Sequence, residues 1–501
     1  MDGSARRLRV VIAGASGFVG RALARALAGD FDVVGLSRVE RPRGADGVEW
    51  RACDLFSLLD TEKALAGADI VFYLVHSMMP SARLTQGSFA DMDLICADNV
   101  ARAAKRAGAR SIVYLGGLIP PGEASLSPHL ASRLEVERTL GSRGVPVTSL
   151  RAGLILGAEG SSFQMMVRLV ERLPVMVSPR WTRSLTQPIA LEDVVAALRY
   201  ALEHPELGGR AYDLGGPDVL PYSALLQAAA HALGKTRPIL TLPFDTIGLS
   251  LLWVTLVSGA PMDLVRPLVQ SLRHDMIAHD GLTLQTQAGI QARPLREALA
   301  RAVEERAAHA KADSRAPHDD ARARRKKVRG DRQVRSVQRL PMPAGWDASL
   351  VAHEYGRWLP RFMRPFLRVE TDAAGAYSFF LKPLRKPLLV LTFARERSTP
   401  DRSLYYITGG LLARVQQRLR GRLEFRTVLG GTRVLAAIHD FVPTLPWLLY
   451  SGTQALVHLF VMRAFGRHLA RTHGAPGAHL GAGDEQGAVS TAASAHVEHA
   501  R

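Results

Sequence analysis

Runs of aliphatic and β-branched residues alternate with helical periodicities along the first half of the chain. Residues 8–13 read as a strand and 18–28 as a helix, followed by strands over 31–36 and 70–75 and a long helical pattern over 88–107. Strands at 111–115 and 147–150 continue the series. Strand–helix–strand alternation predicts an α/β fold, a doubly wound parallel sheet with helices on both faces and right-handed crossovers. After Gly153, helical stretches at 163–172 and 191–204 alternate with short extended pieces such as 210–214. This predicts a small substrate-side subdomain and closes a first domain at 1–306. Residues 307–338 read as a linker. Over 339–470, extended stretches at 377–381, 388–393 and 423–428 combine with helical ones at 346–359 and 452–469, giving a separate α+β domain. The Gly-, Ala- and His-rich tail at 471–501 is expected to be disordered.

At 501 residues the chain is too long for one core, and 47% hydrophobic content excludes wholesale disorder. Cys53 and Cys96 have no metal-ligand spacing. They read as reduced structural thiols, and no metal site is expected. No signal-peptide pattern precedes the first strand, so a cytoplasmic location is expected. Much of the excess in the net charge of +18 sits in a run at 315–339 that includes Arg324-Arg325-Lys326-Lys327 and carries a net +7, ten basic residues against three aspartates. Its surroundings fit a solvated linker. No nucleic-acid signature accompanies it, so nucleic acid is not an expected partner. The run and the charge-free stretch 441–462 together leave a peripheral contact with an inner-membrane surface as a second candidate. The apolar run 247–257 is too short to span a bilayer.

The sharpest chemical signal is Gly14-Ala15-Ser16-Gly17-Phe18-Val19-Gly20, placed directly after Val10-Val11-Ile12 and opening a helix. Gly14 permits the turn out of the strand, Gly17 lets backbone approach a diphosphate, and Gly20 lets the helix pack closely. Free N–H groups at the helix start favour the anion. A nicotinamide dinucleotide is therefore the expected cofactor. The second strand ends at Ser37-Arg38, where an acidic residue would suit the ribose 2′-hydroxyl of NAD and an arginine the 2′-phosphate of NADP. This leans to NADP over NAD. Asp54 and Leu55, after the third strand, are candidates for the adenine side. His76 and Ser77, after the fourth, are candidates for cofactor or substrate contact, although Ser77 could equally cap its loop.

These residues, with Asn99 in the long helix and Ile112-Val113-Tyr114-Leu115, resemble extended and atypical short-chain dehydrogenase/reductases, which have a Rossmann-type fold. Among them are the NmrA-like proteins and the Rossmann-type accessory subunit of respiratory complex I. The segment Leu423–Leu469, with Gly421-Arg422-Leu423-Glu424-Phe425-Arg426 and Pro443-Thr444-Leu445-Pro446-Trp447, resembles an uncharacterised domain that follows such NAD(P)-binding domains in bacterial proteins. The resemblance implies a Tyr-x-x-x-Lys pair. At that place the chain has His129 and Arg133, and Gly116-Gly117 replaces the usual serine pair. Ser125 and Ser127 could approach from the loop. The spacing of four keeps His129 and Arg133 on one helical face. Either they build the helix and bind cofactor, or His129 protonates a carbonyl oxygen as hydride arrives. Two functions follow: an NADP-dependent oxidoreductase of a small or lipophilic substrate, or a non-catalytic dinucleotide-binding redox sensor or assembly subunit at a membrane complex.

Overall fold

The computed structural model describes residues 6–41, 47–76, 84–122, 126–178, 180–241, 271, 273–313, 334–373, 375–415 and 421–472. In the N-terminal half, β1 (Arg9–Ala13), α1 (Phe18–Leu27), β2 (Asp32–Ser37), β3 (Glu49–Ala52), α2 (Leu58–Ala64) and β4 (Ile70–Tyr73) follow one another; β1, α1, β2 and β4 match the periodicity, whereas the periodicity does not give α2. Next come β5 (Leu84–Gln86), α3 (Phe89–Ala107), β6 (Ser111–Gly117), α4 (Pro128–Gly141) and β7 (Val147–Ala152). Beyond them lie α5 (Ser161–Arg172), α6 (Leu191–Glu203), β8 (Arg210–Leu214), α7 (Tyr222–Ala232) and α8 (Leu295–Asp313). Seven strands form one all-parallel sheet in the order β8-β7-β6-β4-β1-β2-β3. The order reverses between β1 and β4, which is where open parallel sheets hold ligands at their carboxyl ends. Helices α5, α7 and α8 share an apolar cluster of their own that includes Phe163, Val167, Leu225 and Leu299, the small subdomain expected after Gly153.

The second sheet is built from the C-terminal half: β9 (Val334–Pro341), α9 (Ala348–Phe362), β10 (Leu367–Thr371), β11 (Tyr377–Leu381), β12 (Leu389–Phe393), β13 (Arg402–Gly409), β14 (Arg422–Val428), β15 (Arg433–Phe441) and α10 (Gln454–Thr472). Its order is β10-β11-β12-β13-β14-β15-β9-β5, so β5 of the first half adds in parallel to β9. One face carries Leu423, Phe425, Val434 and Ala436 against α9 and α10. The opposite face carries Val337, Val428, Leu435 and Ala437 against Met92, Leu94, Ile95 and Cys96 of α3. The period of two along β14 and β15 thus serves two cores.

One reading of the sequence changes here, at both of its ends. The stretch expected to be a linker from 307 is narrower: α8 continues to Asp313, and β9 already begins at Val334. The arginines at 335 and 339 mask a buried strand, because their charges are met by carboxylates remote in sequence. The segments 314–333, 247–257 and 473–501, to which the tetrabasic run, a membrane check and the tail belong, lie outside the described residues. Among the described residues no helix is long and apolar enough to cross a membrane.

Candidate functional site

The turn after β1 is shaped by its glycines. Gly14 has φ +94°, and a Cβ there would stand 2.7 Å from the Leu74 carbonyl oxygen. A Cβ on Gly20 would stand 2.2 Å from the Gly14 oxygen and 2.8 Å from the Ala15 Cα. The Gly17 amide donates to the Gly14 carbonyl at 2.8 Å, and Gly17 caps α1 with no side-chain hydrogen bond. The first amides of α1, from Phe18 and Val19 onward, are therefore left for an external acceptor. Arg21 donates to the Ser16 carbonyl at 2.6 Å and pairs with Glu159. The Phe18 ring lies under Gly157 and Gly160, where added Cβ atoms would meet it at 2.6 and 3.2 Å. The turn is fixed from both sides, and it fits a diphosphate.

The neighbouring strand ends supply the rest. Ser37 is buried and accepts from the Val39 amide at 3.3 Å, whereas Arg38 is exposed. Arg41, which sequence reasoning passed over, lies 4.7 Å over the Trp50 ring beside it. Asp54 is partly exposed and already engaged on both oxygens. Its Oδ1 accepts from the Phe56 amide at 3.3 Å, and its Oδ2 pairs with Arg335 of β9, whose guanidinium lies 4.6 Å from the Phe56 ring centroid. The Leu55 carbonyl accepts from Asn99 at 2.7 Å, which ties the loop after β3 to α3.

At the end of β4 the structure assembles a group that the sequence only half revealed. Arg133 on α4 is buried and pairs with Asp93, a fully buried carboxylate of α3. The same guanidinium reaches the Val75 carbonyl at 3.4 Å and His76 Nδ1 at 3.2 Å. Ser132 also donates to Asp93, at 3.3 Å. Asp93 carried no motif, and only its buried position in the fold identifies it. Burial works against the Arg133 charge, but Tyr114 and Asp93 more than offset it and raise its pKa. His129 stacks on His76 with ring centroids 5.0 Å apart. Burial, then His76 and Arg133, push His129 down to about 3, so at neutral pH it carries no imidazolium proton. His76 is lowered by burial and by Arg133, with Asp93 opposing. Burial also raises Tyr114 to about 12, and its hydroxyl donates to the Arg133 carbonyl at 3.2 Å. Ser77 and Ser125 lie outside the described residues. Ser127 caps α4 and exchanges a hydrogen bond with Ser271 at 3.0 Å.

The parallel sheet, its glycine turn and the ligand crevice at the β1/β4 reversal define a nicotinamide-dinucleotide-binding domain. Residues 10–215 match the NAD dependent epimerase/dehydratase family. The chain is 31% identical over 111 residues to auxiliary protein GraX of Staphylococcus aureus (strain NCTC 8325 / PS 47), a match spanning 22% of this chain and 36% of that relative. Among solved structures, gox2253 aligns with 20% identity and a TM-score of 0.48, covering 61% of this chain and 99% of the other. An NADPH-dependent quinone oxidoreductase, QOR2 of Escherichia coli, aligns with 21% identity and a TM-score of 0.45, covering 58% and 98%.

Proposed function

We propose that the N-terminal domain is an NADP-dependent oxidoreductase of a small or lipophilic carbonyl substrate. The observation that carries this reading is the buried Asp93–Arg133 pair with the solvent-reaching His76 set against it at the end of β4, beside the glycine turn. When bound, the cofactor supplies the hydride. The amides at the start of α1 would hold its diphosphate. Arg38, with Arg41 beside it, would meet the 2′-phosphate.

Nδ1 of His76 faces both the Arg133 guanidinium at 3.2 Å and the Asp93 carboxylate at 3.5 Å; arginine only donates, so in the tautomer in which Nδ1 accepts from Arg133, the shorter contact, the ring N–H is on Nε2. The ring is partly exposed. His76 therefore offers a neutral N–H, on the edge away from Arg133, to a carbonyl oxygen that gains negative charge. The arginine behind it strengthens that donor, and Asp93 balances the arginine. The proton that completes the alcohol comes from solvent. His129 packs the His76 ring in place.

In turnover assays, His76→Ala is expected to lower kcat by about a hundredfold or more, whereas His129→Ala leaves it of the same order. The pH profile should stay flat through neutrality and fall only on the acid side of the ordinary imidazole range. There protonation of Nδ1 would displace Arg133. If the His129 variant is the inactive one, His76 is not the donor. Arg38→Ala is expected to weaken NADPH binding by about tenfold or more and to leave NADH unchanged, measured by calorimetric titration. An equal loss for both cofactors would remove the case for NADP.

One observation favours the other reading, a non-catalytic dinucleotide sensor or assembly subunit. Arg335 of the second domain holds Asp54 at the adenine side, linking the cofactor seat to that domain. A panel of carbonyls and quinones with NADPH separates the two readings, because cofactor binding without oxidation of NADPH on any member selects the sensor.

A further inference from the structure

The corner of the second domain where α9 ends is both apolar and basic. Phe366, just past α9, is 61% exposed. Phe362, on the last turn of α9, lies 5.8 Å from the Phe460 ring of α10, and Leu456 stands one turn from Phe460 on the same helix. Both α10 side chains are more than half exposed, at 57% for Leu456 and 56% for Phe460. The Lys382 amide donates to the Phe366 carbonyl at 2.9 Å, which sets the β11–β12 turn with exposed Leu384 beside Phe366. The Leu411 amide donates to the Pro387 carbonyl at 3.0 Å and brings another exposed leucine to the same turn. Single exposed apolar side chains are ordinary, but a clustered set marks an interaction surface.

The charge around this cluster has one sign. Arg361 and Arg364 flank Phe362, and Lys382, Arg385 and Lys386 flank Leu384, all of them exposed. Residues 355–369, 380–394 and 441–472 contain no aspartate or glutamate. Glu370, on the outer strand, pairs with Arg368 at 3.1 Å.

We propose that this corner seats on an anionic lipid surface, its basic groups at the headgroup phosphates and its phenylalanine and leucine tips in the acyl boundary. Lysine and arginine stems can reach the interface while the apolar tips enter below them. Nucleic acid would use the charge and could stack on the phenylalanines, but it would gain nothing from the leucine tips.

The test is co-sedimentation of the full chain with vesicles of phosphatidylcholine alone and of phosphatidylcholine mixed with phosphatidylglycerol. The protein is expected to pellet with the mixed vesicles and to be released by salt. Reversing two charges, Arg385→Glu with Lys386→Glu, should weaken binding at least about tenfold. Phe366→Asp with Leu384→Asp should weaken it comparably, and an unchanged thermal midpoint and NADPH affinity would show that each variant is folded. Neutralising Arg324, Arg325, Lys326 and Lys327 should leave the corner's contribution in place. Absence from the mixed-vesicle pellet overturns the proposal. So does unchanged binding of both corner variants, or loss of binding only when the 324–327 charges are removed. Corner-dependent binding to a single-stranded oligonucleotide with none to vesicles assigns the surface to nucleic acid instead.

Discussion

Arg426→Ala is expected to loosen the second domain from the first and to cost about 3–5 kcal/mol, the range for breaking one side of a buried ion pair. Arg426 on β14 is fully buried and pairs with Asp98 of α3 at 3.0 Å and with Glu424 at 2.9 Å, while also donating to Asn99. Glu424 in turn pairs with Arg402 at 2.7 Å. Asp98 also takes Arg102 at 2.7 Å and Arg143 at 3.0 Å, and those two arginines share Asp401. Removing Arg426 leaves two buried carboxylates short of a partner. Urea unfolding followed by tryptophan fluorescence should show the midpoint falling, with Trp346, Trp358 and Trp447 reporting on the second domain. A loss under about 1 kcal/mol, as for an exposed pair such as Arg199–Asp30, would mean the network does not hold the domains together.

The same network fixes a pH dependence. Burial opposes the charge on Asp98, yet Arg426, Arg102 and Arg143 outweigh it and hold its pKa below the ordinary value. Glu424 is held well below its ordinary value against burial by Arg426 and Arg402. Both groups ionise more readily folded than unfolded. Their stabilisation is therefore complete above the ordinary carboxylate range near about pH 4 and is lost as pH falls through the folded values. In Arg426→Ala the acid transition should move to higher pH.

How much of this could be read from the chain follows from where its charges sit. The first half was legible because apolar runs form strands buried on both faces, and because the turn at Gly14–Gly20 needs glycine for steric reasons that sequence alone exposes. The second domain was legible where one side of the period is apolar, as at 377–381 and 423–428, although the other side of the latter buries Glu424 and Arg426. Strands β13 and β15 carry Arg402, His439 and Asp440 at buried positions, which breaks the expected alternation. Strand β9 was read as linker because Arg335 and Arg339 look solvated. In the structure Arg335 meets Asp54, and Arg339 meets Asp91 at 2.8 Å and Glu135 at 2.7 Å. No local pattern announces partners that lie hundreds of residues away. Helix α3 hid its role for the same reason. Its Asp91, Asp93 and Asp98 carry no motif, yet the helix lies between two sheets and uses its charges for capping, for Arg133 and for Arg426.

Gly20→Ala is expected to have the largest effect on cofactor binding. The new methyl would stand 2.2 Å from the Gly14 oxygen and 2.8 Å from the Ala15 Cα, both backbone atoms that cannot rotate away. Either α1 moves off the turn or the turn opens. Both displace the amides of Phe18 and Val19 that would grip the diphosphate. Overpacking of this kind costs about 1–3 kcal/mol. If the strain falls on the bound geometry, NADPH affinity drops by roughly tenfold to a hundredfold. Gly17→Ala separates shape from strain: its Cβ would stand 3.1 Å from the Gly14 oxygen, on the exposed side where a ligand would approach, and Gly17 has an ordinary negative φ. That variant should lower the thermal midpoint of the free protein less than Gly20→Ala does and still lose affinity, because its methyl occupies diphosphate space. Calorimetric titration of both variants with NADPH decides the matter. Full affinity in Gly17→Ala would mean that no diphosphate sits over the start of α1.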